Sequence, residues 1–151
     1  MEDLVLYDEA LEMKDIGFDE PCFGFFTYKR DIRRYINHDG ELNNFQCVKN
    51  SSITMGDGWC AAPTYAQCFR WFRKNYKLTH SIYPEWDCSK FLGFEGMIQG
   101  LEGEIISNEP NNINEVFVCF NSFIEPCTTY EEAELACLQE LIKIVKNKLD
   151  K

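Results

Sequence analysis

Long apolar runs, sorting signals and repeats are all lacking in this chain of 151 residues. No apolar run reaches about 18 residues, so we expect no segment to cross a bilayer as a helix. The first four residues hold no basic region ahead of an apolar run, so we expect no secretory signal. Internal repeats and linkers rich in proline or serine do not occur. We therefore predict a single domain over residues 1–151, with no membrane association.

The spacings of metal ligands are lacking too. The chain has eight cysteines and two histidines, His38 and His80, but no two cysteines are separated by two residues. Zinc ribbons and knuckles need such pairs, so we predict no structural metal and no cofactor. Without an export signal, free thiols in a reducing cytoplasm explain the cysteines better than disulfides do. Cys68, Cys119 and Cys137 lie in apolar patterns and are expected in the core.

Basic residues are fewer than acidic residues in this chain. The sequence has 15 lysines and arginines against 25 acidic residues, which gives a formal net charge of −10. Such a field repels phosphate backbones, so nucleic acid is not an expected partner. Basic residues nevertheless concentrate in two stretches, 29–34 and 70–77, while residues 1–20 hold eight acids and one lysine. Solvated faces explain the two basic stretches, and a local site for phosphate or for an acidic partner is the alternative.

Two helices are predicted from the chemistry of their ends. The first covers residues 3–16 and stops at Gly17, because glycine readily takes the left-handed conformation that ends many helices. The second covers residues 65–76, where Thr64 and Gln67 have the spacing of a capping box. Its aromatic residues recur every three or four positions, so we expect one face in the core and a basic outer face.

A third helix is predicted after Thr129 and Glu132, a second capping box, and it runs for about 20 residues. Between the helices, short aromatic and β-branched runs predict strands, with a hairpin turn at Asp39 and Gly40. The strands are expected at 22–28, 32–36, 42–48, 78–83, 91–98, 103–107 and 116–123. Bulges or close backbone contacts are expected at Gly93, Gly96, Gly100 and Gly103. We predict an α+β fold with a mainly antiparallel sheet and about three helices: N-terminal, central and C-terminal.

Three stretches of the chain resemble a family of small uncharacterised proteins from phages and prophages of gut bacteria. They are residues 11–22, 62–73 and 129–138. The resemblance covers between a quarter and a third of the chain. It implies a phage-derived protein in the cytoplasm of a bacterial host, and it implies no mechanism.

An enzyme with a cysteine nucleophile is one alternative for the function. Such an enzyme needs a base beside the thiol and a third group that orients the base. Cys60 and His80 are the pair whose positions could converge, and Asp57 or Asp87 could orient the imidazole. Core or surface roles explain these residues more simply, so we predict no catalytic residue. Replacing Cys60 by serine would separate this alternative from the others.

The leading hypothesis is a non-catalytic protein-interaction module. Aromatic residues and arginine are the usual anchors of protein interfaces, although core packing also explains tryptophan. The partner is another protein or a second copy in a homodimer. The candidate partner-binding residues lie in and around the second helix, and they are Trp59, Arg70, Trp71, Arg73, Lys74 and Trp86. A further alternative is an acidic decoy that imitates DNA, which requires the acids near 1–20, 95–115 and 125–140 to share one face.

Overall fold

The computed structural model describes residues 4–28, 30–33, 47–54, 56–102 and 117–150. In these residues the fold is α+β, as predicted, with three α-helices and two antiparallel sheets of three strands each. The helices are α1 (Tyr7–Asp15), α2 (Tyr65–Tyr76) and α3 (Tyr130–Leu149). The strands are β1 (Phe25–Phe26), β2 (Ile32–Arg33), β3 (Cys60–Ala61), β4 (Leu78–Asp87), β5 (Lys90–Glu102) and β6 (Phe117–Cys127). No described helix is both long and apolar enough to cross a membrane.

The chain divides into two compact units. Unit 1 is Met1–Trp71 with Ile142–Lys151, and unit 2 is Phe72–Leu141. Unit 1 holds α1 and a sheet of order β2-β1-β3, whereas unit 2 holds a sheet of order β4-β5-β6. Both α2 and α3 contribute residues to each unit. The single domain expected over residues 1–151 stays a prediction.

The C-terminus of α1 is formed as predicted, but its start is not. Gly17 has a φ of 93°, and its N–H donates to the Lys14 carbonyl (3.0 Å) while the Phe18 N–H donates to the Met13 carbonyl (2.9 Å). These are the two bonds of a Schellman motif. The helix begins at Tyr7 rather than at residue 3, because the segment before it is extended and pairs with residues 63–64. Tertiary pairing thus replaces the first helical turn.

The sheet of unit 1 consists of very short strands. β1 pairs with β2 on one side and with β3 on the other, and each strand has two residues. The strand expected over 22–28 is therefore reduced, although Cys22 also forms an isolated antiparallel bridge with Val48. The predicted hairpin turn and most of its two strands lie outside the described residues. The buried core around this sheet includes Phe18, Phe26 and Val48.

The capping box of α2 is confirmed. The Gln67 N–H donates to Thr64 Oγ1 (3.2 Å), and the Thr64 N–H donates to Gln67 Oε1 (2.9 Å). Gln67 Nε2 also donates to the Pro21 carbonyl (2.9 Å), so the cap holds the segment that follows α1. The bounds of α2 agree with the predicted 65–76. Cys68 is fully buried on its inner face, as expected.

The sheet of unit 2 is long and irregular at its glycines. β4 and β5 pair over ten residues of β4, which is further than the predicted strands reach. The pairing shifts register between Glu85 and Trp86, opposite Gly93, and again on the β6 side between Phe94 and Gly96. Glycine is required at both positions. A Cβ on Gly93 would overlap the Cys127 carbonyl, and one on Gly96 would lie 2.6 Å from Cys137 Sγ. The bulges and close contacts predicted for Gly93 and Gly96 are thus confirmed.

The third helix begins at the predicted capping box. The Glu132 N–H donates to Thr129 Oγ1 (3.1 Å), and Glu132 Oε2 accepts from the N–H groups of Thr128 (3.0 Å) and Thr129 (3.2 Å). Two acids in the first turn and two lysines in the last complement the helix dipole. The buried face of α3 consists of Ala133, Cys137, Leu138, Leu141, Ile142 and Val145. Its N-terminal part lies against β5, since Cys137 Sγ lies beside Gly96 and the Tyr130 ring packs on Phe94.

Candidate interaction surface

Four aromatic rings in unit 2 form a continuous and largely exposed chain. The Trp86 and Phe91 ring centroids are 5.3 Å apart, Phe91 and Phe94 are 5.3 Å apart, and Phe94 and Tyr130 are 5.8 Å apart, all edge to face. Trp86 is 59% exposed, Phe91 41% and Tyr130 44%. We call these four residues the aromatic row. Leu92, which is 46% exposed, extends the apolar patch along β5.

Backbone irregularity at the end of the hairpin brings the row to one face. Side chains alternate between faces along a regular strand, so Phe91 and Phe94, three positions apart, would point to opposite sides. Gly93 breaks this alternation because its φ of 147° suits only glycine. The register shift at Trp86 then sets its indole opposite Phe91. Bulges of this kind are known to re-aim side chains at sheet ends.

Tyr130 joins the row from α3 and links it to the core of unit 2. It is the first residue of α3, and its ring packs on Phe94. Two turns further along, Cys137 lies against Gly96. The row therefore continues the buried interface between β5 and α3 into solvent. Apolar side chains that continue a core beyond its cover form the kind of exposed patch that marks protein-interaction sites.

Negative charge is in excess in the two segments that carry the row. Segments 83–95 and 124–134 hold one base, Lys90, and seven acids. The acids are Glu85, Asp87, Glu95, Glu125, Glu131, Glu132 and Glu134. The pKa of Tyr130 is raised by partial burial and then by the charges of Glu134, Cys137 and Glu131. Glu131 and Glu134 therefore place negative charge at the α3 end of the row, whereas Glu85 and Glu95 act on Tyr83.

Of the six candidate partner-binding residues, Trp86 is the one that belongs to the aromatic row. Trp59 is half-buried in unit 1, where it stacks on Phe25 at a centroid distance of 5.7 Å and contacts Tyr28 at 6.2 Å. Lys14 Nζ donates to the Trp59 carbonyl (2.7 Å), which ties this residue to α1. Trp59 therefore has a packing role in unit 1.

Trp71 is a core residue. It is 7% exposed, and its ring meets that of Phe18 edge to face at 5.8 Å. Because a partner cannot reach a buried indole, we leave Trp71 out of the proposed surface. The spacing of aromatic residues along α2 predicts a core face. Trp71 lies on the buried side of the helix with Phe72 and Cys68.

Arg70, Arg73 and Lys74 lie on the exposed face of α2, as predicted from the helical pattern. Arg70 forms an ion pair with Glu20 (3.9 Å) in which the arginine side chain is mostly in solvent. Such exposed pairs contribute little to stability. The partner-binding role of this basic face stays a prediction.

The structure places the candidate nucleophile in a poor environment for catalysis. Cys60 is fully buried in β3, and burial raises the pKa of its thiol to about 11. The neighbouring Lys14 opposes that shift and Asp15 adds to it. A catalytic cysteine needs the opposite, a depressed pKa beside a protonated base. His80 is half-buried and its pKa is lowered to about 4, first by burial and then by Arg73, so its imidazole is neutral near pH 7.

Three other buried thiols are also kept protonated. Cys22, Cys68 and Cys137 are fully buried, and burial is the largest cause that raises the pKa of each. Seven cysteines within the described ranges are free, and Cys47 and Cys88 among them are exposed. No group of three or more histidine, cysteine or acidic residues in the described part could hold a metal ion. The side chain of Cys119 lies outside the described part.

No protein-family model, curated protein or solved structure matches this chain. The resemblance to phage and prophage proteins therefore stays a prediction. Sequence reasoning singled out Trp86 but missed Phe91, Leu92, Phe94 and Tyr130. The sequence did contain a signal for these residues, because Trp86 and Phe91–Leu92 flank a short turn. Apolar residues at the end of a hairpin have few core residues to pack against.

Proposed function

We propose that this protein is a non-catalytic protein-interaction module whose docking surface is the aromatic row of unit 2. The observation that carries the proposal is the exposure of linked rings at Trp86, Phe91 and Tyr130. Large aromatic side chains bring much apolar area to an interface and lose little rotamer freedom there. Because the rings already hold one another edge to face, the free protein presents them in a fixed arrangement.

The proposal places the protein in the cytoplasm of a bacterial host, as a phage-derived factor that binds a host or phage protein. Free thiols at Cys47 and Cys88 are exposed, and a reducing compartment keeps exposed thiols from forming disulfides. A homodimer through the same row is the other form that this function can take. The raised thiol pKa of Cys60 supports a non-catalytic role.

The acidic decoy remains a second candidate function. It is favoured by the seven acids in the two segments that carry the aromatic row and by the formal net charge of −10. Part of the acidic stretch at 95–115 lies outside the described residues, so the shared acidic face that this hypothesis requires stays a prediction. A decoy would bind a basic protein and would compete with double-stranded DNA for it.

Site-specific photocrosslinking tests the interaction module directly. The photoreactive residue benzoylphenylalanine replaces Phe91 in one variant and Leu149 in a control, since Leu149 is 58% exposed at the far end of α3. After irradiation in bacterial cytoplasm, we expect discrete adducts from position 91 and none from position 149. Adducts at twice 17.7 kDa would identify the homodimer. The proposal fails if position 91 gives no adduct, or gives the same adducts as the control.

A further inference from the structure

We infer that the aromatic row takes a positively charged protein segment that carries an apolar anchor, and not a second copy of its own surface. This inference rests on the proposed function, because it names the chemistry of the partner for the same site. Two features of the surface must be matched by the partner. They are an exposed apolar row and an excess of carboxylates in the segments that carry it, with Glu131 and Glu134 acting on Tyr130.

The exposed apolar side chains determine which kind of side chain the partner must bring as its anchor. Trp86, Phe91 and Leu92 are each at least 41% exposed at the end of one hairpin. Burying them requires an aliphatic or aromatic side chain from the partner, since a polar group placed against these rings would lose its hydrogen bonds to water. A few well-packed side chains of this kind carry most of the binding free energy in protein interfaces.

The negative charge near the row determines the sign of the charge that the partner must carry. With seven acids and one lysine, the two segments that carry the row have a formal charge of −6, and Glu131 and Glu134 act on Tyr130 within the row. Two such surfaces brought together would repel each other, and the whole chain, at −10, adds to the repulsion. A lysine- or arginine-rich segment would instead gain attraction on approach and would be steered to the row. Cations can also stack on the exposed faces of Trp86 and Tyr130.

The apolar row and its charge together restrict the partner more than either feature does alone. A purely basic segment would bind any acidic part of the surface, with no preference for the rings. A purely apolar segment would match the rings but would not profit from Glu131 and Glu134, whose charges act on Tyr130. The partner that fits both has cationic side chains on either side of an apolar anchor. This is the chemistry of many amphipathic basic helices and basic loops.

Selection from a displayed library of random peptides about 12 residues long tests the inference. The library is enriched on the full chain and counter-selected on the double variant Trp86→Ala with Phe91→Ala, which has the same charge. Counter-selection removes peptides held by charge alone. We expect the retained peptides to exceed the average positive charge of the library and to contain an apolar residue.

The outcomes separate the inference from the proposed function. Retained peptides that are neutral or acidic would overturn the inference and keep the docking surface. No enrichment that depends on Trp86 and Phe91 would overturn both. A full chain that purifies as a dimer through position 91, at twice 17.7 kDa, would also overturn the inference because a second copy would then be the partner.

The best retained peptide then gives a quantitative check. The indole N–H signals of Trp59, Trp71 and Trp86 report binding separately, and only that of Trp86 should shift. Replacing Glu131 and Glu134 by glutamine should weaken binding by about three- to tenfold and reduce its salt dependence. The matched control replaces Asp57 and Asp150 by asparagine, with the same change in charge outside the two segments. An equal loss in both variants would contradict a local role for the acids.

Discussion

Unit 1 and unit 2 both expose aromatic side chains, but they arrange them differently. Unit 1 is built on strands of two residues; it buries Phe18, Phe26 and Trp71, and it exposes Phe23 and Tyr28 on either side of β1. Unit 2 is built on strands of ten to thirteen residues, and it exposes Trp86 and Phe91 at the end of its hairpin. There the rings form one continuous row, because the end of a long hairpin and the first residue of α3 place them side by side.

The two units also differ in how they hold their loops. In unit 1, side chains from distant parts of the sequence bond to buried backbone groups, as Asn50 does with Phe18 and Ala61. In unit 2, Gly93 and Gly96 allow neighbouring atoms to approach the backbone of β5 closely, because glycine has no side chain. A substitution at Asn50 should therefore destabilise unit 1 by removing hydrogen bonds, and one at Gly93 or Gly96 should destabilise unit 2 by adding atoms.

The largest expected contrast is between two tryptophans. Trp71→Ala should lower the free energy of unfolding by ~3–5 kcal/mol, since it removes a buried ring that packs on Phe18. Trp86→Ala should cost less than ~1 kcal/mol because most of that indole is already in solvent. Chemical denaturation followed by circular dichroism measures both. Equal losses would mean that the aromatic row is part of the core and not a surface.

Overpacking at Gly96 should have the next largest effect. Gly96→Ala is expected to cost ~2–3 kcal/mol, because its Cβ would meet Cys137 Sγ at 2.6 Å and Ile124 at 3.1 Å. The same change in a Cys137→Ala background should cost at least ~1 kcal/mol less, since the sulfur is gone. Gly56→Ala is the control, for its Cβ meets nothing within 4 Å and its cost of ~1 kcal/mol comes from a φ of 95° alone. Thermal unfolding of the four variants checks the cycle.

In unit 1, Asn50 should matter through its hydrogen bonds. Its Nδ2 donates to the Phe18 carbonyl (2.7 Å), and its Oδ1 accepts from the Ala61 N–H (2.8 Å). Asn50→Ala leaves both groups without this partner and should cost ~2 kcal/mol. Asn50→Asp keeps the acceptor for the Ala61 N–H but turns a carboxylate oxygen toward the Phe18 carbonyl, so it should cost at least as much as Asn50→Ala. Unfolding of Asn50→Asp at a clearly higher denaturant concentration than Asn50→Ala would contradict a role for the bond to Phe18.

The smallest expected effect is a pH dependence in unit 2. The pKa of His80 is about 4 in the folded chain against 6.5 for the free side chain, so the unfolded state binds the proton more readily. The contribution of neutral His80 to the free energy of unfolding is therefore fully present above pH 6.5. It is lost as the pH falls toward 4. Between pH 7 and pH 5, the protein should lose ~1 kcal/mol more than His80→Gln does. Parallel losses in both proteins would exclude His80 as the cause.

The ends of the helices were determined by the sequence itself. Gly17, the Thr64–Gln67 pair and the Thr129–Glu132 pair form the bonds that their spacing predicted. These bonds join residues three to five positions apart, so no distant part of the chain is needed to make them. The α+β class follows from the same local patterns, because helical and strand periodicities are both read over short windows.

Only the tertiary structure decided which aromatic residues reach solvent. Trp71 and Trp86 look alike as candidates in the sequence, yet Trp71 packs on Phe18 from a distant segment, whereas Trp86 lies mostly in solvent. Likewise, the start of α1 was lost to pairing with Thr64, a partner about 60 positions away in the sequence. Burial depends on what distant segments cover, and short sequence windows carry no information about that. The aromatic row, and with it the proposed function, is a property of the fold.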